Sequence, residues 1–443
     1  MLRKIGVSSP WELFRDIPRQ LIMEKPPRIG YGGSLSEYEV IRIVNSKLSK
    51  NKVFFDPPPF MGGGLCLHHV PTVVDYLVSR SEFYTAYTPY QPEINQGLLQ
   101  ALFEYQSLVA DLLEMDIVNA SMYDMSTAVA EAVLMALRVT RRRKILVPST
   151  MHPEHYEVLK TWLLGHDTEI VKLGYDKETG YIDRDSLDQE LQTNNVAAVY
   201  VEIPSYLGFI ENDPGYIADQ THKHGGLLIV GVEPLSLGII KPPGRYGADI
   251  VVGEGQPLGL GLNYGGPLLG IFATKMDRRL IRQLPGRLIG VTRTIEGGRE
   301  GYIMILQTRE QHIKREKATS NITTNEALMA ITAAIYLSLL GGKGLRELAE
   351  AIWVKSHYLA KRLSELPGVK APLFNSPFFK EFTTEFPREY KYIFRKLSQK
   401  GILGGLGLEG PPLYNNKACL FCVTELHSRR DIDKLVEALG EIL

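Results

Sequence analysis

From about residue 95, apolar positions recur at helical spacing, first in "INQGLLQALFEYQSLVADLLEM" and again in "TAVAEAVLMALRV". The period then changes. Short runs rich in β-branched residues follow: "KILVPS", "TEIVKLGY", "VAAVYVEIP", "GLLIVGVE", "ADIVVGE" and "LLGIFAT". Helical patterns at "EHYEVLKTWLLG" and "DPGYIADQTHKHG" separate several of them. Strands joined through helices predict parallel pairing by right-handed crossovers, hence a large α/β domain over residues 81–324 with a mixed, mostly parallel sheet. A long helix is expected next, from about Asn325, broken near "LLGGKG" and continuing through "LRELAEAIWVKSHYLAKRLSEL". Short strands after Pro367, the helix "EYKYIFRKLSQKG", the strand "KACLFCVTEL" and the final helix "SRRDIDKLVEALGEIL" predict a smaller C-terminal α+β domain over 325–443. Residues 1–80 are rich in proline and turn signals ("EKPPRIG", "FFDPPPFMGGG") and read as an N-terminal arm. Short helices separated by loops are expected in it, "SLSEYEVIRIVNSKLS" being one, with Ser34 as a candidate cap and Glu37 three residues on.

Composition narrows the function without naming it. With 443 residues, more than one domain is expected. Lys+Arg and Asp+Glu number 50 each, so charge singles out neither nucleic acid nor an acidic membrane as a partner. The basic run "RRRK" at Arg141 to Lys144 closes a helical pattern, where cations suit the helix dipole. The charge-rich "KEFTTEFPREYKYIFRK" reads as surface. Three cysteines exclude a disulfide framework and fit a reducing cytoplasm. Cys419 and Cys422 form a lone CxxC inside a run better read as a strand than as a zinc or redox site. No signal peptide opens the chain, and no run of about 18 apolar residues predicts a membrane span.

Glycine-rich stretches invite a nucleotide reading, which the context rejects. "GGLGLEG" places Gly405, Gly407 and Gly410 in a G-x-G-x-x-G, but "PPLYNN" follows where a phosphate-binding helix must begin. "GEGQPLGLGLNYGGP", residues 253–267, sets its third glycine one residue late. No Walker-type G-K-[ST] occurs. "HPEH" at His152 to His155 lacks the spacing of a helical zinc motif, and adjacent His68 and His69 point apart in any regular element; no metal site is expected.

Several stretches together resemble one family, the glycine decarboxylase (P-protein) of the glycine cleavage system. They are "FMGGG" (60–64), "RSEFYTAYTPYQPEINQGLLQALFEYQ" (80–106), "HPEHYEVLKTW" (152–162), "EPLSLG" (233–238), "GADIVVGEGQPLG" (247–259) and "REKATSNI" (315–322). The family occurs as one long chain of two homologous halves or as two subunits, and the length here matches one subunit of the split form. The resemblance implies the fold of type I pyridoxal-phosphate enzymes. That chemistry needs a Schiff-base lysine, an acid opposite the pyridine nitrogen, a ring-stacking group and phosphate donors at a helix N-terminus. By resemblance, Ser126 and Thr127 fall at the phosphate cup, where plain helix capping is the competing reading. His152 falls at the stacking position and Glu233 at the ring-nitrogen position, longer than the expected aspartate. Gln256 and Pro257 occupy the place of the lysine; none lies between Lys241 and Lys275.

The pattern is similar to the lysine-free, N-terminal-type (alpha, subunit 1) chain. The resemblance therefore implies a vestigial pocket here, with no covalently bound cofactor. Pyridoxal phosphate is expected on a homologous beta chain, glycine as the substrate of the complex, and the lipoyl arm of H-protein as acceptor of the aminomethyl group. No catalytic residue is assigned to this chain. Thr88, Tyr90, Gln91 and Glu93 in "TPYQPE", with Arg315 and Lys317, are candidates for the interface or for supporting the partner's site; the competing reading ties the arm to the large domain. Two other readings compete: a purely structural or regulatory partner, and a lysine-independent pyridoxal-phosphate enzyme acting alone. The family stretches before residue 110 argue against the last.

Overall fold

The computed structural model describes all residues except 24, 26, 28, 86, 294, 296 and 323–325. Two compact units divide at Val53/Phe54 rather than near residue 80. In Met1–Val53 the helix Glu37–Leu48 is capped two residues later than expected. Ser36, not Ser34, forms the capping box, its N–H donating to Glu39 Oε2 at 2.8 Å.

In Phe54–Leu443 the central sheet has seven strands: β1 Ile117–Val118, β2 Lys144–Pro148, β3 Glu169–Leu173, β4 Val196–Ile203, β5 Leu227–Val232, β6 Ile250–Glu254 and β7 Gly270–Thr274. Their spatial order is β1-β7-β6-β5-β4-β2-β3. The run from β3 to β6 is parallel, whereas β7 pairs antiparallel with both β6 and β1. All five residues of β6 and all eight of β4 are buried, as a sheet covered on both faces requires. The two-residue side-chain period divides its cores. Ile145, Val147, Val252 and Phe272 pack with the helix Met125–Thr140, while Leu146, Val251 and Ile271 pack with Gln96–Leu113 and the start of a long C-terminal helix.

That helix, Ala327–Ser364, serves two cores. Ala330 to Leu345 join the large one, and Leu359 and Leu363 join a smaller one. Within the part facing the large core Gly341 adopts φ 59°, the break expected at "LLGGKG". The expected start at Asn325 lies outside the described residues. By length and mean hydropathy, 1.5, this is the one helix among the described residues long and apolar enough to cross a membrane, and it packs Ala330, Ile331, Ala333 and Tyr336 into the protein core.

After the hairpin β8 Leu288–Arg293 and β9 Glu300–Ile305, a second antiparallel sheet has the order β10-β12-β11, from β10 Glu381–Glu385, β11 Leu406–Gly407 and β12 Ala418–Cys422. The helices Tyr390–Gln399 and Arg429–Ile442 pack on it. Residues 60 to 74 belong to this larger unit. Phe60 sits in the small core, and Met61 bridges Phe421.

Candidate functional site

At the C-terminal ends of β4, β5 and β6 the chain encloses a cavity of about 60 Å³, the usual position of a ligand in an open parallel sheet. Its walls include Met125, His152, Glu202, Tyr206, Glu233 and Glu254, with Gly64 and Glu381 completing the rim. Four carboxylates around so small a space are costly unless each is answered, and each is.

Glu202 ends β4. It accepts from the His152 N–H at 3.1 Å, from Tyr200 Oη at 3.1 Å and pairs with His155 Nδ1 at 3.0 Å. Burial pushes its carboxyl up, but the hydrogen bond and charge of His155 outweigh this and hold it below the ordinary range. The His152 ring stacks on His155 with centroids 4.2 Å apart and meets Tyr206 edge-on at 4.5 Å. Its Nδ1 accepts from the Glu154 N–H and its Nε2 donates to the Gly63 carbonyl at 3.0 Å. Burial, with His155 alongside, lowers its basicity, so His152 is neutral.

Glu233 follows β5. One carboxylate oxygen caps the turn Pro234–Gly238 by accepting from Ser236 N–H at 2.7 Å. The other lies 2.8 Å from Lys380 Nζ. Lys380 is 2% exposed and also lies 3.1 Å from His68 Nε2, while His68 Nδ1 is 2.9 Å from Glu425. Burial works against the ammonium, but Glu233 and its other neighbours hold it above the usual lysine range. Four groups thus alternate as carboxylate, ammonium, imidazole and carboxylate, the ammonium and imidazole buried and the two carboxylates half-buried.

Glu254 ends β6. Its Oε2 accepts from Met125 N–H at 3.2 Å, at the start of the helix Met125–Thr140, and its Oε1 accepts from Gln256 and Leu269 at 3.0 and 3.1 Å. Burial raises its carboxyl to about 7 against these donors. Asp124 is the helix N-cap, and Thr127 completes its capping box. The capping reading of Thr127 is therefore the one the structure supports, and neither Ser126 nor Thr127 lines the cavity. Gln256 is buried but turned away, its Nε2 donating to the Leu260 carbonyl at 3.0 Å so that the glycine-rich loop closes on itself. Of the five expected pocket residues, the structure brings only His152 and Glu233 to the cavity wall.

None of the interface candidates reaches the cavity. The Tyr90 hydroxyl accepts from Arg287 at 2.9 Å, and its ring meets that of His312 at 5.5 Å. That brings "TPYQPE" beside the segment leading to Arg315 and Lys317. Gln91 precedes the turn Pro92–Ile94, Glu93 is exposed, and the Thr88 carbonyl accepts from Tyr90 N–H. Arg315 and Lys317 are exposed, and Arg315 takes φ 53°, a left-handed value uncommon for a long side chain.

Sequence reasoning missed the residues that fill this site. Lys380 and Glu381, expected on the surface, are instead drawn inward by the apolar "SPFFKEF": Phe379 and Phe382 are fully buried beside them. The signal was present, a lysine set alone among phenylalanines.

The whole of residues 1–439 matches the family described as Glycine cleavage system P-protein. The chain belongs to the P-protein family. It is 56% identical to an Aeropyrum pernix protein named "Probable glycine dehydrogenase (decarboxylating) subunit 1", covering 100% of this chain and 96% of that one. A Sulfolobus acidocaldarius protein of the same name is 53% identical, with 100% and 97% covered. The crystal structure of a P-protein in inhibitor-bound form superposes with a TM-score of 0.90 at 42% identity, over 100% of this chain and 97% of that one. A sphingosine-1-phosphate lyase of Burkholderia pseudomallei, at 14% identity and TM-score 0.69 over 95% and 92%, shares the fold. This is the fold of type I pyridoxal-phosphate enzymes.

That fold implies a cofactor, and the residues present can be tested against it. The helix end that would cradle a phosphate already receives the carboxylates of Asp124 and Glu254. The acid that would face a pyridine nitrogen is paired with Lys380, no lysine lines the cavity, and His152 is covered by His155. The residues do not fit pyridoxal phosphate.

Proposed function

We propose that this chain is subunit 1 of a two-subunit glycine dehydrogenase (decarboxylating), working in the cytoplasm. The homologous second subunit carries the Schiff-base lysine and pyridoxal phosphate. The complex decarboxylates glycine and passes the aminomethyl group to the lipoyl arm of H-protein. The observation that carries this reading is the pairing of Glu233 with Lys380 and of Glu254 with the helix N-terminus, which meets from within the chain the charges a bound cofactor would meet. Relatives named subunit 1 over their whole length support the division of labour. In this reading Thr88, Tyr90, Gln91, Glu93, Arg315 and Lys317 form a surface that supports the partner's site. Tyr90 is fixed by Arg287 and His312, so the surface is preformed.

The test is intact mass after incubation with pyridoxal phosphate and borohydride, alone and with the second subunit. A pyridoxyl adduct confined to the partner is the expected result. A stoichiometric adduct at one lysine of this chain would overturn the assignment. Full glycine decarboxylation by the second subunit alone would reduce this chain to a structural partner, and an Arg315→Ala complex with undiminished activity would remove Arg315 from the supporting surface.

A further inference from the structure

We infer that Cys66 and Cys422 are joined as a disulfide in the native chain, stapling the segment that roofs the cavity to the central strand of the small sheet. All three cysteines are buried. Cys419 and Cys422 look like a pair in the sequence, yet three residues apart on β12 they project to opposite faces. Cys419 sits against Tyr390. Cys422 Sγ lies 2.6 Å from Cys66 Sγ, well inside the roughly 3.5–4 Å at which non-bonded heavy atoms rest.

The backbone ties the start of this segment to β12. Phe60 O accepts from Cys422 N–H at 2.9 Å, and Met61 bridges Phe421. Beyond Gly62 the chain turns back over the cavity and brings Cys66 to Cys422. Between Phe60 and Cys66 the same segment places Gly63 over the cavity: its carbonyl accepts from His152 Nε2 at 3.0 Å, and its N–H donates to Glu381 Oε1 at 2.6 Å. A bond two residues beyond Gly64 holds that roof closed.

A shared metal ion is the competing account, since a Glu381 oxygen and both sulfurs lie within 4.8 Å of one another. Geometry and charge oppose it. Two thiolates on one tetrahedral zinc, each at ~2.3 Å, stand about 3.8 Å apart. The Lys380 ammonium is near enough to couple to both sulfurs, and it would repel a dication. Glu381 is already engaged by Gly63.

The bond forms as the two thiols give up two protons and two electrons. A small-molecule or protein disulfide accepts them and leaves as two thiols, by way of a mixed disulfide. Both residues are 2% exposed in the folded chain, so this exchange takes place before the segment closes on β12. Once formed, the bond is shielded by the burial of both residues from an attacking thiolate. An odd cysteine total still permits one pair and one spare, and in the cytoplasm proposed for this chain such a bond persists because both of its residues are buried from cellular thiols.

The test blocks thiols with an alkylating agent at lysis, purifies the complex without reductant, unfolds it in fresh alkylating agent and maps the labels. One labelled thiol is expected, Cys419, rising to three after reduction. The unreduced chain should be lighter by two hydrogen atoms before labelling. Cys66→Ser should expose Cys422 to label and lower the melting temperature by several degrees, and Cys419→Ser should leave no label at all. Three labelled thiols without reductant overturn the inference, as does a metal ion retained in the native mass.

Discussion

Replacing Lys380 by methionine keeps the volume of the stem and deletes the ammonium. In the native chain Nζ lies 2.8 Å from Glu233 and is 2% exposed, so the pair is dry on the lysine side. At an effective dielectric constant of about 20, a 2.8 Å separation corresponds to roughly 6 kcal/mol of attraction, against which both desolvation costs must be set. The variant loses the attraction but keeps the buried carboxylate, and breaking buried pairs in this way costs about 3–5 kcal/mol. Glu233 retains Ser236 N–H and borders a cavity that can admit water, so the lower end applies, about 3 kcal/mol. Urea unfolding followed by circular dichroism measures it. The decisive comparison is Lys380→Met with Glu233→Gln, where both charges are gone. If the pair is what stabilises this wall, the double variant recovers most of the loss, giving a coupling of about 2 kcal/mol or more. A single variant that loses under about 1 kcal/mol, or a double variant no better than the single, refutes the reasoning.

Two predictions concern pH, with opposite signs. Glu254 ionises near 7 in the folded chain against 4.5 for an ordinary glutamate, so folding takes up a proton between those values and stability falls as pH rises through them. The unfolding free energy of the native chain minus that of Glu254→Gln should therefore drop by about 2–3 kcal/mol from pH ~4.5 to ~7.5; a flat difference contradicts the burial argument. His427 is held by burial near 4, and its Nδ1 accepts from Thr424 N–H while Nε2 donates to the Pro59 carbonyl. A proton added at Nδ1 would face that donor. Its folded value is depressed below 6.5, so its contribution is complete above that pH and is lost as pH falls towards 4. The native chain should lose up to about 3 kcal/mol across this window relative to His427→Gln, and parallel curves would show that another group governs the acid limb.

The fold was legible because its signals are local and repeated. Each strand from β2 to β7 was marked by β-branched residues, and β4 to β7 are buried along their whole length, so their register did not have to be guessed from alternation. The break at Gly341 could be read because glycine alone tolerates φ 59° cheaply. The cap of Glu37–Leu48 was misplaced because "SLSEYE" offers two serines, each followed three residues later by a glutamate, and it is Ser36, with an extended backbone, that forms the box. The site was legible only where one segment carries it. His152 caps the helix that follows β2, Glu233 caps the turn that follows β5, and both lie on the cavity wall. Lys380 is the residue before β10, 147 positions from Glu233, and no periodicity links them. Glu254 could be mistaken for the polar end of a strand, because its partners are backbone donors that any sequence supplies.

In the proposed reading, a cofactor site that lacks its lysine would still have a helix N-terminus with unpaired N–H groups and an acid with no countercharge, and neither can be left unanswered. Here Asp124 and Glu254 answer the first and Lys380 answers the second. The two repairs are independent in sequence, so restoring the lysine alone should not restore the cofactor. Gln256→Lys places the amine at the position the family pattern would use. Its backbone N–H is bound to Glu254, however, and its side chain points into the loop towards the Leu260 carbonyl rather than into the cavity. Incubation of this variant with pyridoxal phosphate and borohydride should leave the mass unchanged, because Glu254 still holds the phosphate position and Lys380 still occupies the acid. Only with Glu254→Gly and Lys380→Met added should an adduct begin to form at residue 256. A stoichiometric adduct on the single variant would mean that the two side chains yield readily to a dianion, and that the missing lysine alone keeps the cofactor out.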